Sequence, residues 1–323
     1  MSIPIAIIAG EPNSISSEII FKCWKLKKKY NHKPYFIIGS FKLLNLQMKK
    51  LGYKIKLKKI DENFKISDLK GTGLPIYNIN YIQKKPFEKI SSKSNKYIFK
   101  CFDEALKFIK EKKITGFINC PISKEHLFKN KHQGITEFLS CKSNEKNNEV
   151  MLIYNRKLSV SPITTHIPLN TVSKKINKNK IIKKVKIINN FYKKFFNNKP
   201  SIAILGINPH NFYLSNKSKE KEIIEKAIKS LIKLGIKAKG PVSADSSFMI
   251  FKKYRFDVIV GMYHDQVLTP FKALYNFDAI NITLGLPYFR VSPDHGVAEN
   301  IAGKKIANPK SLIESINFFK RIN

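Results

Sequence analysis

Three of the seven histidines in this chain share one setting. His264 lies in the stretch Asp257-Val-Ile-Val-Gly-Met-Tyr-His-Asp-Gln266. Its short apolar, β-branched run reads as a buried strand, which then breaks into four polar side chains that a strand interior would not tolerate. His210 follows Ser201-Ile-Ala-Ile-Leu-Gly-Ile207 through Asn208 and Pro209. His166 follows Leu158-Ser-Val-Ser-Pro-Ile163 through Thr164 and Thr165. In open α/β sheets ligands bind just past the carboxyl ends of the strands, so residues placed there can converge on one edge. Three protein ligands, imidazoles among them, hold a catalytic zinc-type ion while a further position stays open for substrate. A single histidine beyond a strand is more often a satisfied loop residue. The repetition after three strands is what points to a metal triad of His166, His210 and His264.

Other residues have the chemistry to meet an anion. Lys272 lies eight residues after His264, Asn281 ends a strand, and Arg290 sits in a loop near Pro287. Arginine binds phosphate or carboxylate bidentately. It is also rare in a chain whose cations are nearly all Lys, and Arg290 has apolar neighbours, so a plain surface charge accounts for it poorly. Thr136-Glu137 and Ser123-Lys124 fit anion contacts at helix N-termini and fit ordinary caps equally well. Neither GxGxxG nor GxxxxGK[ST] occurs, so a dinucleotide would not be held by the usual glycine turn.

Strand and helix signals alternate along the whole chain and supply the frame for these groups. Strands are expected at 3–9, 35–38, 116–119, 201–207, 257–262 and 279–283, with a short edge strand at 54–57. A hairpin pairs 150–154 with 158–163. Helices are expected at 15–28, 41–50, 95–112, 176–196, 220–234 and 309–321, the third with Phe99, Phe102, Leu106 and Ile109 on one face. The alternation argues for an α/β protein with a mostly parallel sheet, and 323 residues allow one large domain or two smaller ones. The net charge of +37 is extreme. It is spread over the polar faces of helices, as at Lys183-Lys184, Lys193-Lys194 and Lys226, and Lys, Asn and Ile are abundant from end to end. That distribution is a compositional bias and not a nucleic-acid footprint, although a basic protein still attracts an anionic substrate. Cys23, Cys101, Cys120 and Cys141 lie far apart with no CxxC pair, as expected of reduced thiols in a cytoplasmic protein. No stretch approaches the length of a membrane span.

Longer motifs surround the three histidines. Thr164-Thr-His-Ile-Pro-Leu169, Asn208-Pro-His210, Gly240-Pro-Val-Ser-Ala-Asp245, Tyr263-His-Asp-Gln266, Asn281-Ile-Thr-Leu-Gly-Leu-Pro287 and Ser292-Pro-Asp-His-Gly296 occur in one order. With them the chain resembles the 4-hydroxythreonine-4-phosphate dehydrogenase family of pyridoxal 5′-phosphate biosynthesis over nearly its whole length. The resemblance implies an isocitrate/isopropylmalate-dehydrogenase-like fold, two α/β lobes flanking a central cleft. Residues 1–132 with 284–323 would form the cofactor-side lobe, and 133–283 the metal, substrate and dimerisation lobe. It implies a homodimer with a shared active site, in which His166, His210 and His264 hold one divalent ion (zinc, magnesium or cobalt) and one of the three crosses from the partner. Thr136, Lys272, Asn281 and Arg290 match the family's substrate-contacting positions. Residues 294–308 resemble the NAD loop of isopropylmalate dehydrogenases, which places His295, Gly296, Ala298 and Asn308 near the adenosine end of NAD or NADP. The implied reaction is oxidation of 4-phosphooxy-L-threonine to 2-amino-3-oxo-4-phosphooxybutanoate, which decarboxylates to 3-amino-2-oxopropyl phosphate. Asp245 and Asp265 are the candidates for a catalytic base, or else orient ligand histidines.

The chain departs from the family pattern in places. Ile135-Thr136-Glu137-Phe138 stands where the family has His-Thr-Glu-Phe. Gly10-Glu-Pro-Asn-Ser-Ile-Ser-Ser-Glu18 keeps the acid and the proline of Gly-Asp-Pro-Ala-Gly-Ile-Gly-Pro-Glu but loses its later glycines. Asn211-Phe212-Tyr213 replaces Ala-Gly-Glu, and Asn300, next to Glu299, stands where isopropylmalate dehydrogenases carry a ribose-binding Asp. The alternatives are a dehydrogenase of a sugar-acid phosphate such as threonate or erythronate 4-phosphate, a phosphate acyltransferase on the same kind of fold, and a basic nucleic-acid binder.

Overall fold

A computed structural model of the chain describes residues 3–27, 33–128, 134–211 and 218–322. In chain order its first elements are β1 (Ile5–Ile8), α1 (Ser16–Leu26), β2 (Tyr35–Gly39), α2 (Phe41–Lys50), β3 (Leu57–Ile60), β4 (Leu74–Asn78), α3 (Asn95–Lys110), β5 (Gly116–Asn119) and α4 (Lys124–Phe128). There follow α5 (Ile135–Lys142), β6 (Val150–Tyr154), β7 (Ser159–Pro162), α6 (Leu169–Lys175), α7 (Lys178–Phe196), β8 (Ile202–Leu205), α8 (Lys226–Lys233), β9 (Ala238–Val242) and α9 (Ala244–Ile250). The last are β10 (Val258–Gly261), α10 (His264–Tyr275), β11 (Ile280–Leu284), β12 (Phe289–Pro293) and α11 (Lys310–Arg321). The chain divides into two compact units, residues 1–135 with 288–323, and residues 136–287. The expected helix end at Lys28, the expected lobe boundary at 132/133, and Phe212 and Tyr213 lie outside the described residues.

In the first unit the strands run in the order β3-β4-β2-β1-β5-β12, every neighbouring pair parallel. A parallel sheet is covered on both faces, and accordingly every residue of β1, β2 and β5 is buried. Helix α3 packs on β1 and β2 through Tyr97, Ile98, Cys101, Phe102, Ala105 and Phe108. Of the expected stripe Phe102 is buried, while Phe99, Leu106 and Ile109 flank the buried face and are half-buried. The strand order reverses direction between β1 and β5, the place where open α/β sheets bind ligands. There Gly10 turns the chain at φ +77°, and a Cβ on it would stand 2.5 Å from the Pro121 carbonyl oxygen, so glycine is required twice over.

In the second unit the order is β11-β6-β7-β10-β8-β9. The β11–β6 and β6–β7 pairs are antiparallel and the rest parallel. The expected hairpin forms, with Ile153 opposite Val160. Its core joins Met151, Ile153, Val160, Leu205 and Ile259 to Val267, Leu268 and Phe271 of α10. Phe271 is fully buried, worth about 2–3 kcal/mol of apolar transfer. Helix α10 was not anticipated, nor was β12, which turns the expected loop around Arg290 into a buried strand. The single helix expected over 176–196 begins instead at Lys178, where the Asn177 side chain accepts the Lys180 N–H. Among the described residues no helix is long and apolar enough to cross a membrane.

Candidate active site

Strand register decides which histidines meet. β7 and β10 lie side by side in parallel with Pro162 opposite Gly261. His166 comes four residues after Pro162 and His264 three after Gly261, so both imidazoles arrive at the same carboxyl edge. The Ile163 N–H donates to the Gly261 carbonyl at 2.8 Å. Thr164 donates to the Met262 carbonyl through its N–H at 3.1 Å and its hydroxyl at 2.7 Å. Gln266 fixes the corner into α10, accepting the Met262 N–H at 2.6 Å and donating to the Gly206 carbonyl at 2.7 Å. The His166 and His264 ring centroids end 5.7 Å apart, tilted by 41°.

Each of the three histidines faces a carboxylate at Nδ1. Asp265 Oδ1 is 2.7 Å from His264, Asp245 Oδ2 is 3.5 Å from His210, and Glu137 Oε1 is 3.9 Å from His166. The first is within hydrogen-bond reach and the third is an electrostatic contact. A carboxylate in hydrogen-bond reach of Nδ1, as at His264, favours the tautomer protonated there and leaves Nε2 as the lone-pair donor, the arrangement of a metal-ligating imidazole. Glu137 also accepts the Thr165 hydroxyl at 3.3 Å. Burial alone would raise its carboxyl, but the adjacent His166, a backbone N–H and the Thr165 hydroxyl together hold it below its usual range. The Ser243 hydroxyl, 2.6 Å away, does the same for Asp245. Both therefore remain ionised at neutral pH.

His210 is built differently. Its loop hangs on Glu220, a fully buried carboxylate that accepts the Ile207 and Asn208 N–H groups at 3.0 and 2.8 Å and the Asn208 side-chain amide at 3.0 Å. His210 itself adopts φ +53°, a conformation few residues other than glycine accept, and its side chain is 77% exposed. Among the described residues no three His, Cys, Asp or Glu side chains converge to hold a metal ion. One chain thus brings His166 and His264 together and not His210 with them.

The residues expected at substrate divide between the units. In the second unit Asn281 lies on β11, half-buried, with its side-chain oxygen buried and unpartnered. Two residues on, Thr283 pairs through its hydroxyl with the hydroxyl of Thr136 at 3.2 Å. Lys272 is exposed on α10, two helical turns or about 12 Å along the axis from His264. Ser123 is spent locally, its hydroxyl 2.8 Å from His126 Nδ1. In the first unit Arg290 is buried on β12, and its Nε donates to Asn119 Oδ1 at 2.7 Å.

The residues expected at cofactor follow β12. Ala298 takes a left-handed φ of +46° ahead of a single 3-10 turn at Glu299–Ile301. A Cβ built on Gly296 would meet no atom within 4 Å, which leaves room for a ligand to approach the backbone. His295 Nδ1 lies 3.2 Å from the Gly296 carbonyl, and Asn308 accepts the Lys310 N–H at 2.9 Å at the start of α11. Asn300 is exposed, while the carboxylate of its neighbour Glu299 accepts the Ile90 N–H at 2.9 Å. A clamp invisible to sequence reasoning precedes Asn308: buried Glu18 accepts the Ala307 N–H at 2.7 Å and pairs with Lys22, which donates to the Ala307 carbonyl at 2.6 Å.

Residues 31–319 match the family model described as pyridoxal phosphate biosynthetic protein PdxA. The chain is 40% identical over 320 residues to the 4-hydroxythreonine-4-phosphate dehydrogenase of Sulfurihydrogenibium sp. (strain YO3AOP1), covering 97% of this chain and 96% of that one. The crystal structure of 4-hydroxythreonine-4-phosphate dehydrogenase from Klebsiella pneumoniae superposes with a TM-score of 0.84 at 27% identity, over 100% of this chain and 98% of that one. Isocitrate dehydrogenase from Methylococcus capsulatus shares the fold alone, with a TM-score of 0.52 at 11% identity over 100% and 86%. The expected isocitrate/isopropylmalate-dehydrogenase-like α/β class is thereby confirmed.

Proposed function

The chain belongs to the pyridoxal phosphate biosynthetic protein PdxA family of dehydrogenases, and on that premise we propose that it oxidises 4-phosphooxy-L-threonine with NAD in a metal-dependent reaction. The observation that carries the proposal is the meeting of His166 and His264 at the β7/β10 edge, each with a carboxylate at Nδ1. These two imidazoles fit a shared divalent ion, and His210 of a second copy of this chain completes the ligand set. The exposure of His210 and the Glu220-braced loop that holds it in a left-handed conformation support that role.

The reaction removes a hydride from C3 of the substrate and a proton from its hydroxyl, producing the ketone, and the resulting β-keto acid then loses CO2. Lewis-acid polarisation of the alcohol is what a divalent ion supplies when bound. Hydride acceptance is what a nicotinamide brings, and the open backbone at Gly296 with Ala298 and Asn308 suits the adenosine end of that cofactor. The protein's own residues bind and orient. Asp265 and Asp245 stand at Nδ1 of His264 and His210 and would orient these rings, leaving Nε2 to a ligand. Asn281 offers its unpartnered oxygen, Thr136 its hydroxyl, and Lys272 and Arg290 positive charge for the anionic groups.

A second reading has one observation in its favour. Ile135 is buried at the head of α5, next to Thr136, where the family carries an imidazole. An apolar side chain there suits a substrate lacking the amino group, such as threonate or erythronate 4-phosphate. One experiment tests both: NADH formation followed at 340 nm with each phosphate ester, with and without a chelator. Turnover of 4-phosphooxy-L-threonine that chelation abolishes is the expected result. Turnover of the sugar-acid phosphate alone would transfer the assignment to the second reading, and full activity after chelation would remove the metal from it.

A further inference from the structure

The hydrogen bond between Arg290 and Asn119 joins two side chains 171 residues apart in sequence, both almost wholly buried. β12 and β5 are parallel neighbours with Arg290 opposite Phe117. Asn119 lies two residues beyond Phe117 and points to the same face. To reach it the arginine leans along the strands toward their carboxyl end, and Asn119 is the last residue of β5, beside the place where the strand order reverses. The amide is itself fixed, since its nitrogen donates to the Cys120 carbonyl at 3.2 Å, so that its oxygen must be the atom facing Arg290. The Cys120 N–H is in turn anchored to the Ile8 carbonyl at 3.0 Å.

We propose that Asn119 is a positioning residue for anion binding, holding the guanidinium of Arg290 by Nε so that its charge meets the anionic end of the substrate in a set orientation. The chemistry of the acceptor matters. A carboxylate at position 119 would hold Nε at least as well, but it would neutralise the guanidinium and compete with the incoming anion. An amide oxygen orients the group without setting a negative charge of its own beside it. The proposal rests on the reading of Arg290 as an anion ligand.

The test separates orientation from structure by reading binding and stability side by side. The conservative Asn119→Asp variant keeps the acceptor toward Nε but loses the donor to the Cys120 carbonyl, and its melting temperature should stay close to that of the parent because the charge pair with Arg290 offsets the lost hydrogen bond. Its KM for the phosphorylated substrate should rise about tenfold or more, its KM for NAD should stay unchanged, and stabilisation of the protein by inorganic phosphate in a thermal-shift titration should weaken in parallel. Asn119→Leu, which deletes the acceptor, should raise the same substrate KM with some loss of stability. Arg290→Lys serves as the control for the premise. If it raises the substrate KM while Asn119→Asp binds substrate and phosphate like the parent, the positioning role is overturned and Arg290 keeps its assignment. If Arg290→Lys is itself without effect on KM, both fall.

Discussion

At His264 the carboxylate of Asp265 stands 2.7 Å from Nδ1, and the same side chain is largely exposed to solvent. It adds little to the core, so its work is on the imidazole. Replacing it in Asp265→Asn should leave the melting temperature unchanged and weaken metal retention about 10–100-fold, measured by competition against a zinc-binding dye. Unaltered metal affinity would remove the orienting role. The histidines themselves were legible in the sequence because each sits directly beyond a strand, a local pattern. Their supports were less so. Asp245 and Asp265 lie within the motifs, but Glu220 and Asn119 act on partners that only the folded sheet brings near, so no sequence spacing announces them. Ile135 shows the converse, a position that reads as a departure in the sequence and that only the fold shows to be buried at the head of α5 beside Thr136.

Among the elements, the long apolar strands and amphipathic helices were readable and the interrupted ones were not. β12 carries a charged residue and ends in Pro293, so Phe289–Pro293 looks like a loop until its pairing with β5 is seen. Helix α10 contains Pro270, ordinarily a breaker, and is held as a helix because Val267, Leu268 and Phe271 pack into the core. Helix α7 illustrates the cost of a lysine-rich composition. Lys184 sits half-buried beside its buried stripe, and burial, together with neighbouring Lys180, pushes its ammonium down to about 8 against the partial relief of Glu149 and Glu137. Below pH 8 both folded and unfolded chains are protonated there and the folded state carries the whole penalty. Between pH 8 and the unfolded value of 10.5 the folded chain sheds its proton first, so stability from this group rises with pH. Lys184→Met should therefore stabilise the protein by about 2 kcal/mol at pH 7, and the gain should shrink toward pH 10 in paired thermal melts. An equal gain at both pH values would show that packing, and not charge, is responsible.

For the whole molecule, the +37 charge is spread too evenly to define a partner, and its general effect is to attract anions of any kind. In the proposed metal centre a second copy of the chain adds the third imidazole. One chain gathers His166 and His264 and gathers no third ligand among the described residues, while His210 stands exposed on its braced loop. The proposed sharing of the site between two copies makes a definite demand on mixed dimers. His166→Ala and His210→Ala should each be inactive alone. Unfolded and refolded together, they form hybrid dimers in which one site has both lesions and the other has none, so activity should return to about a quarter of the parent's. The matching mixture of His166→Ala with His264→Ala should stay inactive, because those two ligands come from the same chain. Recovery in the second mixture, or none in the first, would contradict a metal centre built from His166 and His264 of one chain and His210 of the other.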